Sequence, residues 1–403
     1  MLATAVHDTI AAVPTAVWDA LGPGGHVDRG HAYLAFREHV EPGLPTVITA
    51  DDAHGPAAAA HGCLSTPRSA LLSHPWKMLT ASQFLRLERG DPGAAEAERE
   101  HGRLLDALGG RTAADLTAAL GEAIVFRGFD SSEILLRPGL DGAQRDAALV
   151  SVVDRARELV ERGRAGAVVL PFVRPEDTAL RDVLRIRGFR HATLTGISVL
   201  DLSPFRGYHE LLASFRTGRR SRYRNEERAL AGSGLALGTV DLAGHAGRVA
   251  ELEAQTARKY GGSPDPAGLA DTRRTMARML GSSVRVPVAT RDGDIVACGV
   301  HLVDRHSYLS LTYGCDYAAD RGTAYQCINF YDPLRHAFSR NLRQLRCGFE
   351  AFAPKLLRGA RLVRRETWIW TPRGDRLDAV GEVLRLLGRR TAEHFTELDA
   401  GRH

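Results

Sequence analysis

The segment from Phe215 to Arg228 carries six arginines within thirteen residues. They are Arg216, Arg219, Arg220, Arg222, Arg224 and Arg228. Four of the six recur at every fourth position, which on a helix places their guanidinium groups along one side. Like charges in such a row repel one another, so the row is easiest to explain if phosphate or carboxylate groups lie against it. We interpret the segment as an anion-binding helix; the alternative is a solvated face that Glu226 and Glu227 partly neutralise.

The cysteines offer little chemistry by comparison. They are Cys63, Cys298, Cys315, Cys327 and Cys347. An odd number without a C-x-x-C pair argues against a disulfide framework and against a structural zinc site, and we expect no metal. No histidine follows Cys315 or Cys347 at a recognisable spacing, so a nucleophilic cysteine is disfavoured as well.

The elements that must position these residues alternate between strand and helix in the first half of the chain. Residues 120–202 are predicted to run strand, helix, strand, helix, strand, with helices over residues 146–162 and 178–187 and strands over residues 164–173 and 191–202. This alternation predicts an α/β domain. Two further segments precede it: residues 94–120 are predicted to be helical and residues 51–78, rich in Ala, His, Gly and Pro, to form a loop.

The second half begins at the arginine helix and repeats a similar plan. The predicted elements are helices over residues 246–260 and 270–280, strands over 284–289, 295–303 and 307–314, a helix over 323–341, and strands over 344–349 and 367–371. Asp292-Gly293 is a turn between two of these strands. We therefore expect an α/β (α+β) chain of two related domains, residues 1–203 and residues 204–403, each a mixed, mostly antiparallel sheet flanked by helices.

Composition limits the class of protein. The chain has 403 residues, enough for two domains with cores of their own. Its content of 44% hydrophobic and 25% charged residues is ordinary for a globular protein. No stretch of eighteen apolar residues could span a bilayer, and the first residues lack a basic segment followed by an apolar one. We expect a cytoplasmic protein without a membrane partner. A net charge of +5 permits an anionic partner without requiring one.

Several places in the chain resemble the Fem-type branch of the GNAT superfamily, the tandem-GNAT transferases of cell-wall and antibiotic biosynthesis. The run Pro14-Thr15-Ala16-Val17-Trp18-Asp19 is similar to the Pro-x-x-x-Trp-Asp helix that opens the first domain of peptidoglycan-biosynthesis members. The arginine helix resembles the Arg-rich start of their second domain. Residues 297–316, the following helix, and Arg346 to Glu350 with Lys355 downstream resemble the family's strand, strand, helix, strand ending.

The resemblance implies an enzyme that forms an amide bond, in which an amine attacks an activated acyl group. Such aminolysis needs alignment of the amine, removal of its proton, and donors for the developing oxyanion. The proton acceptors are expected near the ends of the central strands, where the candidates are Asp316, Glu350, His301 and Tyr313. Each has a structural alternative: Asp316 could cap a turn, His301 could be a core histidine, and Tyr313 could simply pack.

Three further cations are candidates for holding substrate. The resemblance makes Lys355, followed by Arg358, an anion contact in the active cleft, although Lys355 could equally be a loop lysine. Lys259 ends a predicted helix before Gly261-Gly262, where it lies near a cleft or acts as a cation at a helix end.

The identity of the acyl donor depends on one loop. The family uses either coenzyme A or an aminoacyl-transfer RNA, and coenzyme A-dependent members carry an Arg/Gln-x-x-Gly-x-Gly/Ala loop whose amides hold the pyrophosphate. The nearest match here, residues 319–324, has Ala319 where Arg or Gln belongs and Asp320 beside the expected phosphates. This departure favours aminoacyl-transfer RNA as a co-substrate, without a resident cofactor, and a small-molecule amine as the acceptor.

Two alternatives stay open. A coenzyme A-dependent N-acyltransferase explains the fold and leaves the arginine row as surface. A non-catalytic nucleic-acid-binding protein explains the arginines but not the paired α/β domains, and the sequence has no helix-turn-helix, zinc-finger or RNA-recognition signature. The amino acid transferred, the acceptor, and the oligomeric state do not follow from the sequence.

Overall fold

The computed structural model describes residues 2–22, 26–87, 93–132, 134–320, 322–349 and 351–400. Its strands are β1 Ala3–His7, β2 Pro45–Asp52, β3 Gly55–Leu64, β4 Ala123–Phe126, β5 Leu135–Leu136, β6 Ala167–Val173, β7 Arg190–Asp201, β8 Ala236–Val240, β9 Val284–Arg291, β10 Asp294–Val303, β11 Ser307–Cys315, β12 Gln344–Arg346 and β13 Arg361–Trp370.

The helices are α1 Thr15–Leu21, α2 His31–Val40, α3 Pro75–Thr80, α4 Ala94–Leu108, α5 Ala113–Leu120, α6 Gly142–Glu161, α7 Thr178–Ile186, α8 Tyr208–Ser214, α9 Thr217–Ala231, α10 Leu242–Lys259, α11 Pro266–Leu280, α12 Thr323–Gln326, α13 Asp332–Ser339, α14 Phe352–Leu356 and α15 Gly374–Ala400. Between α12 and α13 lies a π-helical turn, Cys327–Tyr331. Among the described residues, no helix is both long and apolar enough to cross a bilayer.

The chain divides into two compact units. Unit 1 comprises Met1–Gly24, Arg29–Gly196 and Arg364–His403, and unit 2 comprises Gly25–Asp28 and Ile197–Val363. The predicted domains, 1–203 and 204–403, differ from these units chiefly at the end of the chain. Residues 364–403 return to unit 1 because β13 pairs with β6, with Trp368 opposite Leu170.

Unit 1 is built on a mixed sheet in the order β1-β2-β3-β4-β6-β13-β7, with β5 beside β3. The pairs β1–β2, β2–β3, β3–β4 and β6–β13 are antiparallel, and β4 and β6 are parallel. Every residue of β6 is buried, as expected for a central strand covered on both faces. The helix α6 starts with a capping box of Asp141 and Gln144 and packs its apolar face, including Leu149 and Val152, into the core.

In unit 2 the strands follow the order β7-β12-β11-β10-β9-β8, to which β7 contributes its residues from Ile197 onward. All neighbouring pairs are antiparallel except β11 with β12. The predicted turn between β9 and β10 is confirmed: Asp292 and Gly293 both have positive φ, +52° and +91°, which a type I′ hairpin requires. Both units therefore confirm the predicted mixed, mostly antiparallel α/β fold.

Most of the predicted elements are present, with two differences. The predicted loop over residues 51–78 is wrong, because residues 55–64 form β3 and residues 75–80 form α3. The helix predicted over residues 323–341 is present but contains the π-helical turn just before Pro333. Proline has no backbone N–H to donate to the preceding turn, so the hydrogen-bond pattern changes there.

Candidate functional site

The arginine-rich segment is a helix, as predicted, and it is held in unit 2 by one aromatic side chain. Tyr223 is fully buried, its hydroxyl donates to the Arg358 carbonyl oxygen at 2.8 Å, and its ring packs against Phe215 and Tyr331. The helix begins at Thr217, so Arg216 occupies the N-cap position and the other five arginines lie on α9 itself. Tyr223 is the buried residue of α9, and most of the helix surface is left to polar groups.

The arginines of α9 lie at that surface. Arg216, Arg222, Arg224 and Arg228 are exposed, and Arg219 and Arg220 are half-buried. The Arg219 guanidinium lies 5.1 Å from the Phe215 ring centroid, and Arg228 donates to the Asn225 side chain at 2.6 Å. Within the part of the chain that the structure describes, Arg216, Arg220, Arg222 and Arg224 form no ion pair with a carboxylate. Their positive charge is therefore available to an external anion.

The two glutamates of α9 do not neutralise this row. Glu226 accepts from Arg358 Nη2 at 2.7 Å and from the Tyr331 hydroxyl. Glu227 accepts from Arg335 Nη2 at 2.6 Å and from the Tyr208 hydroxyl at 3.0 Å. Because both carboxylates bind other partners in unit 2, the interpretation of α9 as a self-compensated, solvated face is disfavoured.

A cavity of about 780 Å³ lies beside this helix. Its lining includes Arg220 and Arg224 of α9, Arg335 of α13, and Tyr208 and His209 of α8. Guanidinium groups next to aromatic rings can hold phosphate oxygens and stack an unpaired base at once. The sequence analysis missed Tyr208, His209 and Arg335, because they come from two other helices and no local spacing connects them to the arginine row.

Lys355 and Arg358 were expected to contact an anion, but both are buried and bind the protein itself. Lys355 is 6% exposed and donates to the carbonyl oxygens of Gly348 at 3.3 Å and Phe349 at 2.8 Å. Arg358 is 3% exposed and binds Glu226. In this structure both cations bind groups of the protein, and their contact with a substrate anion stays a prediction. Lys259, by contrast, is exposed at the end of α10, with its ammonium 3.6 Å from the Tyr317 ring centroid.

The four candidate proton acceptors have different environments. Glu350 lies outside the described residues. His301 is fully buried on β10, and burial, together with the charge of Arg285, lowers its pKa to about 3. Burial also raises the pKa of the Tyr313 hydroxyl on β11. A neutral, enclosed histidine and an enclosed phenol fit the core alternative better than proton transfer at neutral pH.

Asp316 keeps more contact with solvent than His301. Its carboxylate accepts from the backbone N–H of Ala318 at 3.0 Å and of Ala319 at 3.3 Å, and it lies 4.0 Å from Arg248. The side chain is 29% exposed, whereas His301 is fully buried. Asp316 therefore caps the turn after β11, the alternative given for it above.

Asp320 occupies the place where the donor loop would hold a pyrophosphate. Its side chain is 2% exposed and accepts from the backbone N–H of Thr323 and of Ala324, both at 3.1 Å. These are the first amides of α12, the groups that bind phosphate at a helix start. In unit 2 the Asp320 carboxylate already binds these two amides.

Comparisons with known proteins give a family for part of the chain and a fold for nearly all of it. The model of the family described as an acetyltransferase (GNAT) domain matches residues 217–353, from α9 to α14. A comparison with curated proteins gives no match. The solved structure of FemX is 11% identical with a TM-score of 0.57, over 91% of this chain and 97% of FemX.

Two other solved structures are similar over the same length. A conserved protein of unknown function from Bacteroides thetaiotaomicron VPI-5482 is 11% identical, with a TM-score of 0.51, over 92% of this chain and 99% of its own. A tandem GNAT protein from the clavulanic acid biosynthesis pathway, solved without AcCoA, is 13% identical with a TM-score of 0.47, over 92% of this chain and 98% of its own. The acetyltransferase (GNAT) domain model therefore matches residues 217–353, which supports a transferase, and the fold of the chain is similar to that of FemX.

Proposed function

We propose that this transferase moves an aminoacyl group from an aminoacyl-transfer RNA to an amine of a small-molecule acceptor, a cell-wall or natural-product precursor. In this proposal the arginines of α9 bind phosphates of the transfer RNA, and the enzyme needs no resident cofactor. The observation that carries the proposal is the charge of Arg216, Arg220, Arg222 and Arg224, which the glutamates of α9 do not compensate because they bind Arg335 and Arg358.

The cavity beside α9 supports the same donor. A transfer RNA ends in unpaired nucleotides, and such ends are recognised by stacking on aromatic side chains together with cationic contacts to phosphate. Tyr208 and His209 with Arg220, Arg224 and Arg335 supply both kinds of contact within one cavity of unit 2.

An acyl-coenzyme A donor is the second candidate, because the matching family is described as an acetyltransferase domain. Asp320 argues against it in unit 2. A carboxylate bound to the amides of Thr323 and Ala324 takes the donors that a pyrophosphate would need and repels its charge.

Charge reversal on α9 tests the transfer RNA proposal. We expect the variant Arg220→Glu with Arg224→Glu to bind transfer RNA more weakly, and each lost phosphate contact to reduce the slope of log affinity against log salt by roughly one. The matched control is Arg274→Glu with Arg278→Glu, which reverses two exposed arginines at the same spacing on α11 of the same unit.

Fluorescence anisotropy with labelled transfer RNA at several salt concentrations gives both quantities, and circular dichroism checks the fold. Equal affinities and equal salt slopes for the α9 variant and the α11 control would remove α9 as the RNA contact.

A further inference from the structure

The cavity beside α9 has a hydrogen-bond acceptor that the described residues leave unused. Glu227 lines the cavity, and its Oε1 accepts from Arg335 Nη2 at 2.6 Å and from the Tyr208 hydroxyl at 3.0 Å. Oε2 of the same carboxylate has no hydrogen-bond partner within the described residues. The side chain is 28% exposed and Oε2 is not enclosed by the protein, so a ligand in the cavity can reach it.

The partners of Oε1 fix what Glu227 can accept from a ligand. Arg335 has only donors. Burial and the nearby charge of Glu227 raise the pKa of the Tyr208 hydroxyl, which therefore keeps its hydrogen and donates it. A carboxylate paired with arginine has no hydrogen of its own to offer. A ligand group that faces Oε2 must therefore be a donor.

Two arginines of α9 bring positive charge to the same cavity. Arg224 is exposed and forms no hydrogen bond or ion pair with any described residue. Arg220 contacts a carbonyl oxygen and a hydroxyl oxygen of the protein, at 3.5 and 3.4 Å, and both are neutral groups. Arg335 pairs with Glu227, so the charge left without a carboxylate partner is that of Arg220 and Arg224. A phosphate group suits these two guanidinium groups.

The walls of the cavity also provide surfaces for a base. Tyr208 and His209 lie next to each other with ring centroids 6.0 Å apart, and Leu212 and Ala213 add apolar surface. The volume of about 780 Å³ is within the range of small-ligand sites. Every base can stack on such rings, so stacking alone does not select among bases. A group that contacts the edge of the base can select, and Glu227 Oε2 is such a group.

An acceptor at the base edge selects bases that carry an exocyclic amino group. Glutamate accepts from the amino group of cytosine, and the amino group of adenine is an equivalent donor. Uracil has a carbonyl oxygen where cytosine has its amino group, and two acceptors that face each other repel. The unpaired acceptor end of a transfer RNA consists of cytidines and an adenosine, whose bases all carry the amino group.

We infer that the cavity beside α9 holds one nucleotide of the acceptor end of a transfer RNA. Its phosphate lies at Arg220 and Arg224, and the exocyclic amino group of its base donates to Glu227 Oε2. The identity of the ligand rests on the proposed function, and the assignment of Glu227 as the residue that selects the base goes beyond it.

Calorimetric titration of the whole chain with single nucleotides tests the selection. AMP is compared with purine riboside 5′-monophosphate, which is AMP without the amino group, and CMP is compared with UMP. We expect AMP and CMP each to bind about tenfold more tightly than the nucleotide it is compared with, the effect of one hydrogen bond to a charged group. Equal affinities within either pair would overturn the inference.

The variant Glu227→Gln separates base selection from a structural role. Arg335 and Tyr208 both donate to Oε1, so the amide oxygen takes that place and the amide nitrogen, a donor, takes the place of Oε2. A donor there favours a carbonyl oxygen, and the preference between CMP and UMP should reverse. Loss of a merely structural contact would weaken both nucleotides without reversing their order. A variant that is folded by circular dichroism and still prefers CMP would contradict the role of Glu227.

The phosphate contact is tested by a second pair of variants. Arg224→Ala should weaken AMP binding about tenfold and leave the binding of adenosine unchanged, because adenosine has no phosphate. Arg278→Ala removes an exposed arginine of α11 that does not line the cavity, and should leave both affinities unchanged. Equal affinity of the two variants for AMP would remove Arg224 as the phosphate contact and the inference with it.

These titrations use neither transfer RNA nor turnover. If the nucleotide preferences are absent while charge reversal on α9 still weakens transfer RNA binding, the inference fails and the proposed function stands. If the preferences are present and transfer RNA does not bind, the proposed function fails, and with it the identity of the ligand, while base selection by Glu227 stands.

Discussion

At the residue scale, burial decides which titratable groups can exchange protons. His301 on β10 is fully enclosed and its pKa is lowered to about 3, whereas Asp316 keeps a partly exposed carboxylate. Sequence position alone could not separate the two, because both lie near the ends of central strands. What separates them is the packing of Tyr308 and the charge of Arg285 around the histidine ring.

The neutral state of His301 has a measurable consequence. Its pKa is about 3 in the folded chain and 6.5 ordinarily, so between these pH values the unfolded chain binds a proton that the folded chain does not. The stability it contributes is complete above pH 6.5 and is lost as the pH falls towards 3. We expect the free energy of unfolding to rise with pH in this window more steeply in the wild type than in His301→Gln, by at most about 1.4 kcal/mol per pH unit.

Urea unfolding at several pH values measures this slope. The control is His54→Gln, the same substitution at an exposed histidine. Parallel pH dependences for wild type and His301→Gln would mean that His301 is protonated in the folded chain.

At the scale of elements, the start of α12 is the most informative feature, because the same amides serve either a helix cap or a phosphate. Replacing Asp320 by Ala should lower the free energy of unfolding by about 2 kcal/mol, since the backbone N–H groups of Thr323 and Ala324 lose their acceptor. Asp265→Ala removes the exposed cap of α11, where water can replace the carboxylate, and should cost about 0.5–1 kcal/mol.

Chemical denaturation of the two capping variants gives the comparison directly. An equal or smaller loss of unfolding free energy for Asp320→Ala than for Asp265→Ala would mean that the Asp320 carboxylate does not hold the amides of Thr323 and Ala324. These amides could then bind a pyrophosphate.

Elements with strong periodicity could be predicted from the sequence, and elements made by tertiary contacts could not. The buried run of β6 and the capped helices α6 and α10 were predicted close to their observed bounds. The strand β3 was missed because its run of alanines with Gly62 has low strand propensity; it forms because β2 and β4 pair with its two edges.

The candidate site shows the same limit. The arginine row could be read from its spacing, but its significance depends on where Glu226 and Glu227 bind, and their partners lie over a hundred residues away in sequence. The burial of Lys355 could not be predicted from the sequence either. A lysine in a short polar segment does not indicate that its ammonium binds the carbonyl oxygens of Gly348 and Phe349.

At the scale of the whole molecule, the family-model match supports a transferase and the charge of α9 suggests the donor. The GNAT domain match covers residues 217–353, and the fold is similar to that of FemX over 91% of the chain. The choice between acyl-coenzyme A and aminoacyl-transfer RNA then depends on two features of unit 2. These are the positive charge of Arg220 and Arg224 beside the cavity and the carboxylate of Asp320.

Transfer from a radiolabelled pool of aminoacyl-transfer RNAs to a small-molecule amine fraction tests this choice most directly. We predict that label enters an amide product, that prior ribonuclease treatment prevents this, and that the Arg220→Glu, Arg224→Glu variant transfers less label than the Arg274→Glu, Arg278→Glu control. We also predict no saturable binding of acetyl-coenzyme A at millimolar concentration. Transfer from acetyl-coenzyme A with release of free thiol, and none from any aminoacyl-transfer RNA, would contradict the account.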